Sequence, residues 1–294
     1  MKKNSGFTLI ELLVVLAIIG VLIAMLIPAI QMVRGNARKV ACSNKIKQLA
    51  IGCLSYEGAN RAFPAADDGR SFLLLILPFI EGKNILESVP YTDESLSKIS
   101  VGAFLCPSDA ENRQTASIET KKPTNYVGNA GTGYQKFGYN GIFSAVGKPV
   151  SIRDVVDGTS NTAMISECLV GTDSTDRLRV IFEGPSLGQP EELEEFAETC
   201  RSIDQFDVVK LFWARGRHWT NTSDLFTLYN HVNRPGFPNC TNGGVVQKGI
   251  YPPSSQHPGG INLSLADGSV VFRSLDIDPS IWTSLGSRSD RRKE

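Results

Sequence analysis

The sequence predicts an α+β fold: a long N-terminal helix, transmembrane and then amphipathic, packed on an antiparallel β-sheet domain with loop-rich insertions. Three observations carry this. Residues 7–30 are apolar with one ionisable side chain, Glu11. The polar stretch that follows keeps an apolar stripe at helical spacing. Near the C-terminus Ile261, Leu263 and Leu265 alternate with polar residues and run into Asp267-Gly268, a hairpin signal.

As a helix, residues 7–30 span about 36 Å at ~1.5 Å per residue, enough for a hydrocarbon core of roughly 30 Å. Pro28 removes an intrahelical hydrogen bond and predicts a bend. Arg34, Arg38 and Lys39 close the apolar run. Val33, Ala37, Val40, Ala41, Ile46, Leu49, Ala50, Cys53 and Leu54 then mark the stripe, which ends near residues 58–60, before Phe63-Pro64. Residues 71–89 are apolar but interrupted by Pro78 and Gly82, which predicts two short buried helices. The Gly- and Asn-rich tract 125–141 reads as loop. Ile152 to Val156 suggests a helical turn, Asp157-Gly158 a tight turn and residues 162–168 a strand. Residues 190–202 form an acidic amphipathic helix with Leu193, Phe196 and Ala197 inward. Residues 210–253 read as short strands and long loops. In the final hairpin a two-residue type I′ turn at Asp267-Gly268 would set Leu265 opposite Val270 and Leu263 opposite Phe272.

Thirty basic and thirty acidic side chains cancel, and no basic stripe marks a nucleic-acid partner. Arg288, Arg291, Arg292 and Lys293 read as a charged tail. The six cysteines form no Cys-x-x-Cys pair, so a structural zinc site of the usual spacing is not expected. In an exported domain Cys42, Cys106, Cys168, Cys200 and Cys240 are disulfide candidates, with 15 connectivities open to six cysteines. Cys42 and Cys53 cannot pair, because eleven residues of helix hold them about 16 Å apart.

Residues 1–6 are basic and end in Gly6; the apolar run begins directly after it, unlike a secretory signal, whose cleavage site follows its apolar stretch. A carboxylate in hydrocarbon costs roughly 2.5–3.5 kcal/mol, so Glu11 calls for a function. Gly6-Phe7-Thr8-Leu9-Ile10-Glu11 resembles the cleavage and methylation motif of type IV prepilins and type II secretion pseudopilins. The resemblance implies cleavage after Gly6 by a prepilin peptidase, N-methylation of Phe7, and pairing of Glu11 with the terminal amine of a neighbouring subunit. It divides the chain into a leader (1–6), a transmembrane and assembly helix (7–30), its soluble continuation (31–60) and an exported globular α+β domain (61–294). Lys2 and Lys3 place the N-terminus in the cytoplasm and the domain outside the inner membrane, in a single pass.

His257, Asp267 and Gly268 make a His-x9-Asp-Gly arrangement that resembles the signature of an uncharacterised bacterial family of large prepilin-like proteins. Cys106-Pro107-Ser108-Asp109, Asn125-Tyr126-Val127-Gly128 and Asp157-Gly158-Thr159-Ser160-Asn161-Thr162 resemble its other recurring blocks. His257, Asp267 and Ser254 or Ser255 supply the residue types of a hydrolase triad, but Asp267 is claimed by its turn. The expectation is no enzyme and no cofactor, with calcium on Asp154 and Asp157 or on Asp276 and Asp278 as a minor alternative. Trp213, Trp219, Tyr229 and Phe237 could face a ligand, although core packing explains aromatics more simply. The resulting expectation is a structural subunit of a type IV pilus or type II secretion system. Its partners would be the peptidase, the inner-membrane assembly platform and other pilin-like subunits, with no nucleic acid. The alternative is a membrane-tethered ligand-binding module that uses the leader only for delivery.

Overall fold

The computed structural model describes residues 9–65, 69–80, 82–88, 93–110, 121–133, 139–143, 149–172, 176–184, 186, 192–203, 210–212, 214–223, 225–243 and 245–290. Gly6, Phe7, Trp213, Arg291, Arg292 and Lys293 lie outside these residues, as do Val89 and Pro190 at the edges of two expected helices.

Helix α1 (Leu9–Asn60) runs through Pro28 and ends at Arg61, whose φ of 62° stops it. Its stripe is covered only from Cys42 onward: Cys42, Ile46, Leu49, Ala50, Gly52 and Cys53 are buried. Val33, Ala37 and Val40, expected on the packed face, are exposed, because the helix projects ahead of the domain. From Leu9 to Arg38 that projection is roughly 45 Å long. The expected short helices follow as α2 (Phe72–Ile76), a 3-10 turn (Leu77–Phe79) and α3 (Lys83–Ser88), then α4 (Asp93–Ser97). Ser71 caps α2, its hydroxyl accepting from the Leu74 amide.

Two sheets follow. The first, in the order β5-β1-β2-β8-β9, is built from β5 (Leu228–Asn230), β1 (Tyr126–Gly131), β2 (Ala163–Glu167), β8 (Gly260–Leu265) and β9 (Val270–Ser274). The second, in the order β4-β3-β6-β7, comprises β4 (Lys210–Phe212), β3 (Ile181–Gly184), β6 (Asn239–Asn242) and β7 (Val245–Ile250). Both sheets are mixed where an antiparallel sheet was expected: β1 runs parallel to β5, and β3 to β6.

Alternation along β1 and β8 splits the first sheet's faces, while β2 is irregular between Ala163 and Ser166. Tyr126, Ala130, Met164 and Ile165 pack with α1 and α2. Val127, Ala163, Ile261, Leu263 and Leu265 pack on the other side with Trp282 and Leu285 of α6 (Pro279–Gly286). Helix α5 (Leu193–Ser202) covers the second sheet with Phe196, Ala197 and Cys200, as its amphipathic pattern requires.

Three local expectations are corrected. The supposed loop from residue 125 contains β1, a fully buried strand between β5 and β2. Gly128 and Asn129 serve non-local packing. A Cβ at Gly128 would run into the Phe143 ring, and Asn129 Nδ2 donates to the carbonyls of Ala163 and Gly286, both at 2.9 Å. The β8–β9 hairpin has a three-residue loop: Leu263 faces Val271 and Ser264 faces Val270. The Leu265 amide donates to the Ser269 carbonyl, and Gly268, at φ 80°, donates to the Leu265 carbonyl. This is a type I turn with its left-handed residue at Gly268. Phe272 therefore sits opposite Asn262, with the Lys39 ammonium 3.1 Å from its ring centroid. Arg288 is no frayed tail: its guanidinium donates to the Gly141 carbonyl at 2.6 Å.

The disulfides join Cys42 to Cys106 and Cys200 to Cys240. Cys168, expected as a disulfide candidate, is a buried thiol, as is Cys53. Burial pushes the Cys168 thiol up to about 11, further than nearby Arg215 draws it down; Cys53 is also pushed well up by burial.

Candidate functional site

The projecting part of α1 is one candidate surface. Leu9, Leu13, Leu16, Leu22, Met25 and Leu26 are all exposed, and α1 is long and apolar enough to cross a membrane. Leaving so much apolar surface in water would be costly, at about 25 cal/mol per Å². Glu11, in the first turn, is the acidic residue of this surface.

The second candidate is a buried polar cluster that joins α1 to the domain. Cys42 comes from α1, Cys106 from the loop before β1, Glu167 from the end of β2 and His257 from the loop before β8. Their donor atoms all lie within 4.8 Å of one another. His257 Nε2 is 3.1 Å from Glu167 Oε1, and both side chains are 2% exposed. The same Nε2 is 4.0 Å from Cys106 Sγ. Asn262 orients the carboxylate, its amide donating to Oε2 at 2.8 Å and its Nδ2 to Oε1 at 3.1 Å. Burial, with the Glu167 charge nearby, pushes the Tyr126 phenol well up.

His257 thus pairs with Glu167. The triad of residue types noted in the sequence is not assembled. Ser254 Oγ accepts the Leu169 amide, and Ser255 Oγ accepts the His257 amide. Asp267 accepts from the Ser269 amide and hydroxyl at 2.8 and 2.6 Å. Burial works upward on Asp267, but hydrogen bonds from Ser269 and Ser160 and the charge of Lys47 hold its carboxyl below the usual range.

The Asp-Gly end of the motif docks the hairpin on the helix. Lys47 of α1 donates to the Gly268 carbonyl at 2.7 Å, while the Asp267 and Ala266 amides donate to Thr159 and Thr162 carbonyls. The remaining sequence blocks knit the cluster's surroundings. Asn125 accepts the Cys106 amide at 2.9 Å and donates to Asp109 Oδ2 at 2.7 Å and to the Cys168 carbonyl at 2.9 Å. Asp109 Oδ1 meets Arg179 Nη2 at 2.7 Å, with both side chains 2% exposed. A charge buried this deeply persists when paired and hydrogen-bonded.

Glu167, Asn262, Lys47 and Arg179 were not singled out in the sequence. The one available signal was Glu167, an acid at the end of an otherwise buried strand, where carboxylates are rare unless partnered.

Three of the four calcium candidates hold hydrogen bonds through their carboxylates. Asp154 closes a capping box with Ser151, Asp157 Oδ2 accepts the Asp290 amide at 2.8 Å, and Asp278 caps α6. Asp276 lies in the turn after β9, its amide donating to Ser274 Oγ at 3.1 Å. Among the described residues, neither aspartate pair belongs to a group with metal-holding spacing. Trp219 and Tyr229 are core, and Phe237 is half-buried beside Arg234.

Residues 31–280 match the family described as "Protein of unknown function (DUF1559)", and residues 1–27 match the prokaryotic N-terminal methylation motif. Over 73 residues the chain is 33% identical to the type II secretion system core protein G of Pseudomonas aeruginosa, covering 25% of this chain and 51% of that protein. The chain therefore spans about half the length of that curated relative. No solved structure matches. The methylation motif, the likeness to a pseudopilin and the bare apolar helix make this a pilin-like chain with a helix suited to membrane anchoring.

Proposed function

We propose that this chain, which belongs to the DUF1559 family of proteins of unknown function, is a structural subunit of a type II secretion pseudopilus or type IV pilus. A prepilin peptidase cuts after Gly6 and the new terminus is methylated on Phe7. The freed helix then packs against the helices of other pilin-like subunits on an inner-membrane assembly platform. The observation that carries this reading is the bare stretch of α1 ahead of the domain, with Glu11 in its first turn. Buried among apolar helices, a carboxylate needs a cation, and the amine on Phe7 of an adjacent copy supplies one.

The topology follows from the same chemistry. Lys2 and Lys3 hold the N-terminus in the cytoplasm, and two disulfides suit an oxidising compartment for the domain. Glu11→Ala in the native host is the test. Processing should continue, whereas cross-links between α1 helices of neighbouring copies should fall at least tenfold. Undiminished cross-linking would remove Glu11 from the mechanism.

A further inference from the structure

We infer that Cys42, Cys106, Glu167 and His257 form a thiol-gated zinc site, closed as a disulfide when oxidised and able to take one zinc ion when reduced. This is independent of helix assembly and concerns the cluster beneath the domain's contact with α1.

The donor set is the first argument. Two thiolates, an imidazole and a carboxylate are ligands that zinc takes, in tetrahedral geometry. The sequence lacks Cys-x-x-Cys spacing, and the four residues are instead brought together from four separate segments.

Distance is the second argument. With Zn–S near 2.3 Å and Zn–N or Zn–O near 2.0–2.2 Å, the edges of a tetrahedral site are about 3.3–3.8 Å long. His257 Nε2 already lies 3.1 Å from Glu167 Oε1 and 4.0 Å from Cys106 Sγ. Cys42 and Cys106 have Cα atoms 5.2 Å apart, so side-chain rotation can open the two sulfurs to such an edge without moving the helix. The carboxylate is also oriented in advance by two donors from Asn262, the kind of outer support that metal ligands use.

The chemistry balances with a dithiol reductant. Thiol–disulfide exchange passes two electrons and two protons to the Cys42–Cys106 bridge, giving two cysteine thiols and the reductant's disulfide. Zinc then bonds both sulfurs, His257 Nε2 and a Glu167 oxygen; the two thiol protons go to solvent, and the proton held between Nε2 and Oε1 moves to His257 Nδ1. Either state ties α1 to the domain, covalently or through the metal.

The test uses the full chain in detergent micelles, reduced with dithiothreitol, freed of it by gel filtration without air, and titrated with Co²⁺ and then Zn²⁺. The reduced chain should bind one Co²⁺ with thiolate charge-transfer and tetrahedral d–d bands, and Zn²⁺ should displace it. The untreated chain should give no bands. His257→Gln and Glu167→Gln, checked as folded by circular dichroism, should each weaken binding at least tenfold, and Asn262→Ala by about 10–100-fold. If either first variant does not fold, zinc-edge X-ray absorption of the wild-type chain decides, with two sulfur and two nitrogen or oxygen neighbours expected. A folded, reduced chain without cobalt bands, unchanged affinity in both variants, or a different set of neighbours would overturn the proposal.

Discussion

Gly268→Ala probes whether the Asp-Gly end of the motif serves to seat the hairpin on the helix. Gly268 is the left-handed residue of the β8–β9 loop, at φ 80°. An L side chain there costs roughly 1–2 kcal/mol. The new Cβ would also stand 2.8 Å from Leu54 Cδ1 of α1. That atom is the far end of a flexible side chain, so turning it aside adds only about 0.5–1 kcal/mol. The sum is about 1.5–3 kcal/mol, and a chain of this size should lose roughly 3–12 °C in Tm. Urea unfolding of the full chain in micelles, followed by tryptophan fluorescence, measures it. In a Leu54→Ala background the steric part should vanish and the backbone part remain, leaving about 1–2 kcal/mol. A neutral Gly268→Ala, or a penalty that disappears with Leu54→Ala, would refute the argument.

Two further predictions concern buried titrating groups. With two bridges, denatured but unreduced chain should show two thiols to a thiol reagent, Cys53 and Cys168. Native chain should show none at neutral pH, because both are buried and held protonated. A third pair, or a reactive native thiol, would contradict the disulfide assignment. His231, stacked 4.0 Å from Trp282, is pushed by burial down to about 3, against the opposing bond to the Trp282 carbonyl. The unfolded chain takes up that proton near pH 6.5 and the folded one does not, so this stability is present above pH 6.5 and is lost as pH falls toward 3. Between pH 6.5 and 5 the loss is about 2 kcal/mol, and His231→Phe should flatten the slope by that amount. An unaltered slope would mean that His231 takes up its proton in the folded state.

The sequence was most legible where a segment's structure follows from its own composition. Helix α1 has a long apolar run and then a stripe, and α5 has an amphipathic period, so both could be read locally. Strand β1 could not, since Gly128 and Asn129 satisfy requirements set by Phe143, Ala163 and Gly286, which are distant in sequence. The hairpin register slipped for a subtler reason: Asp-Gly suits a two-residue loop, but Ala266 joins the turn, so the loop has three residues. At the candidate site, the presence of His257 and Asp267 was visible but their partners were not. His257 meets Glu167 ninety positions away in the chain, and Gly268 meets Lys47 across 221. Pairings of that kind depend on strand order, which no single segment encodes. The separation of Cys42 from Cys53 was legible because one helix fixes both.

Mass spectrometry of the N-terminus of the chain taken from its native membrane bears most directly on the pilin-like assignment. The mature chain should begin at Phe7 with a methylated amine. A chain that begins at Met1, with Gly6 and Phe7 still joined, would contradict it.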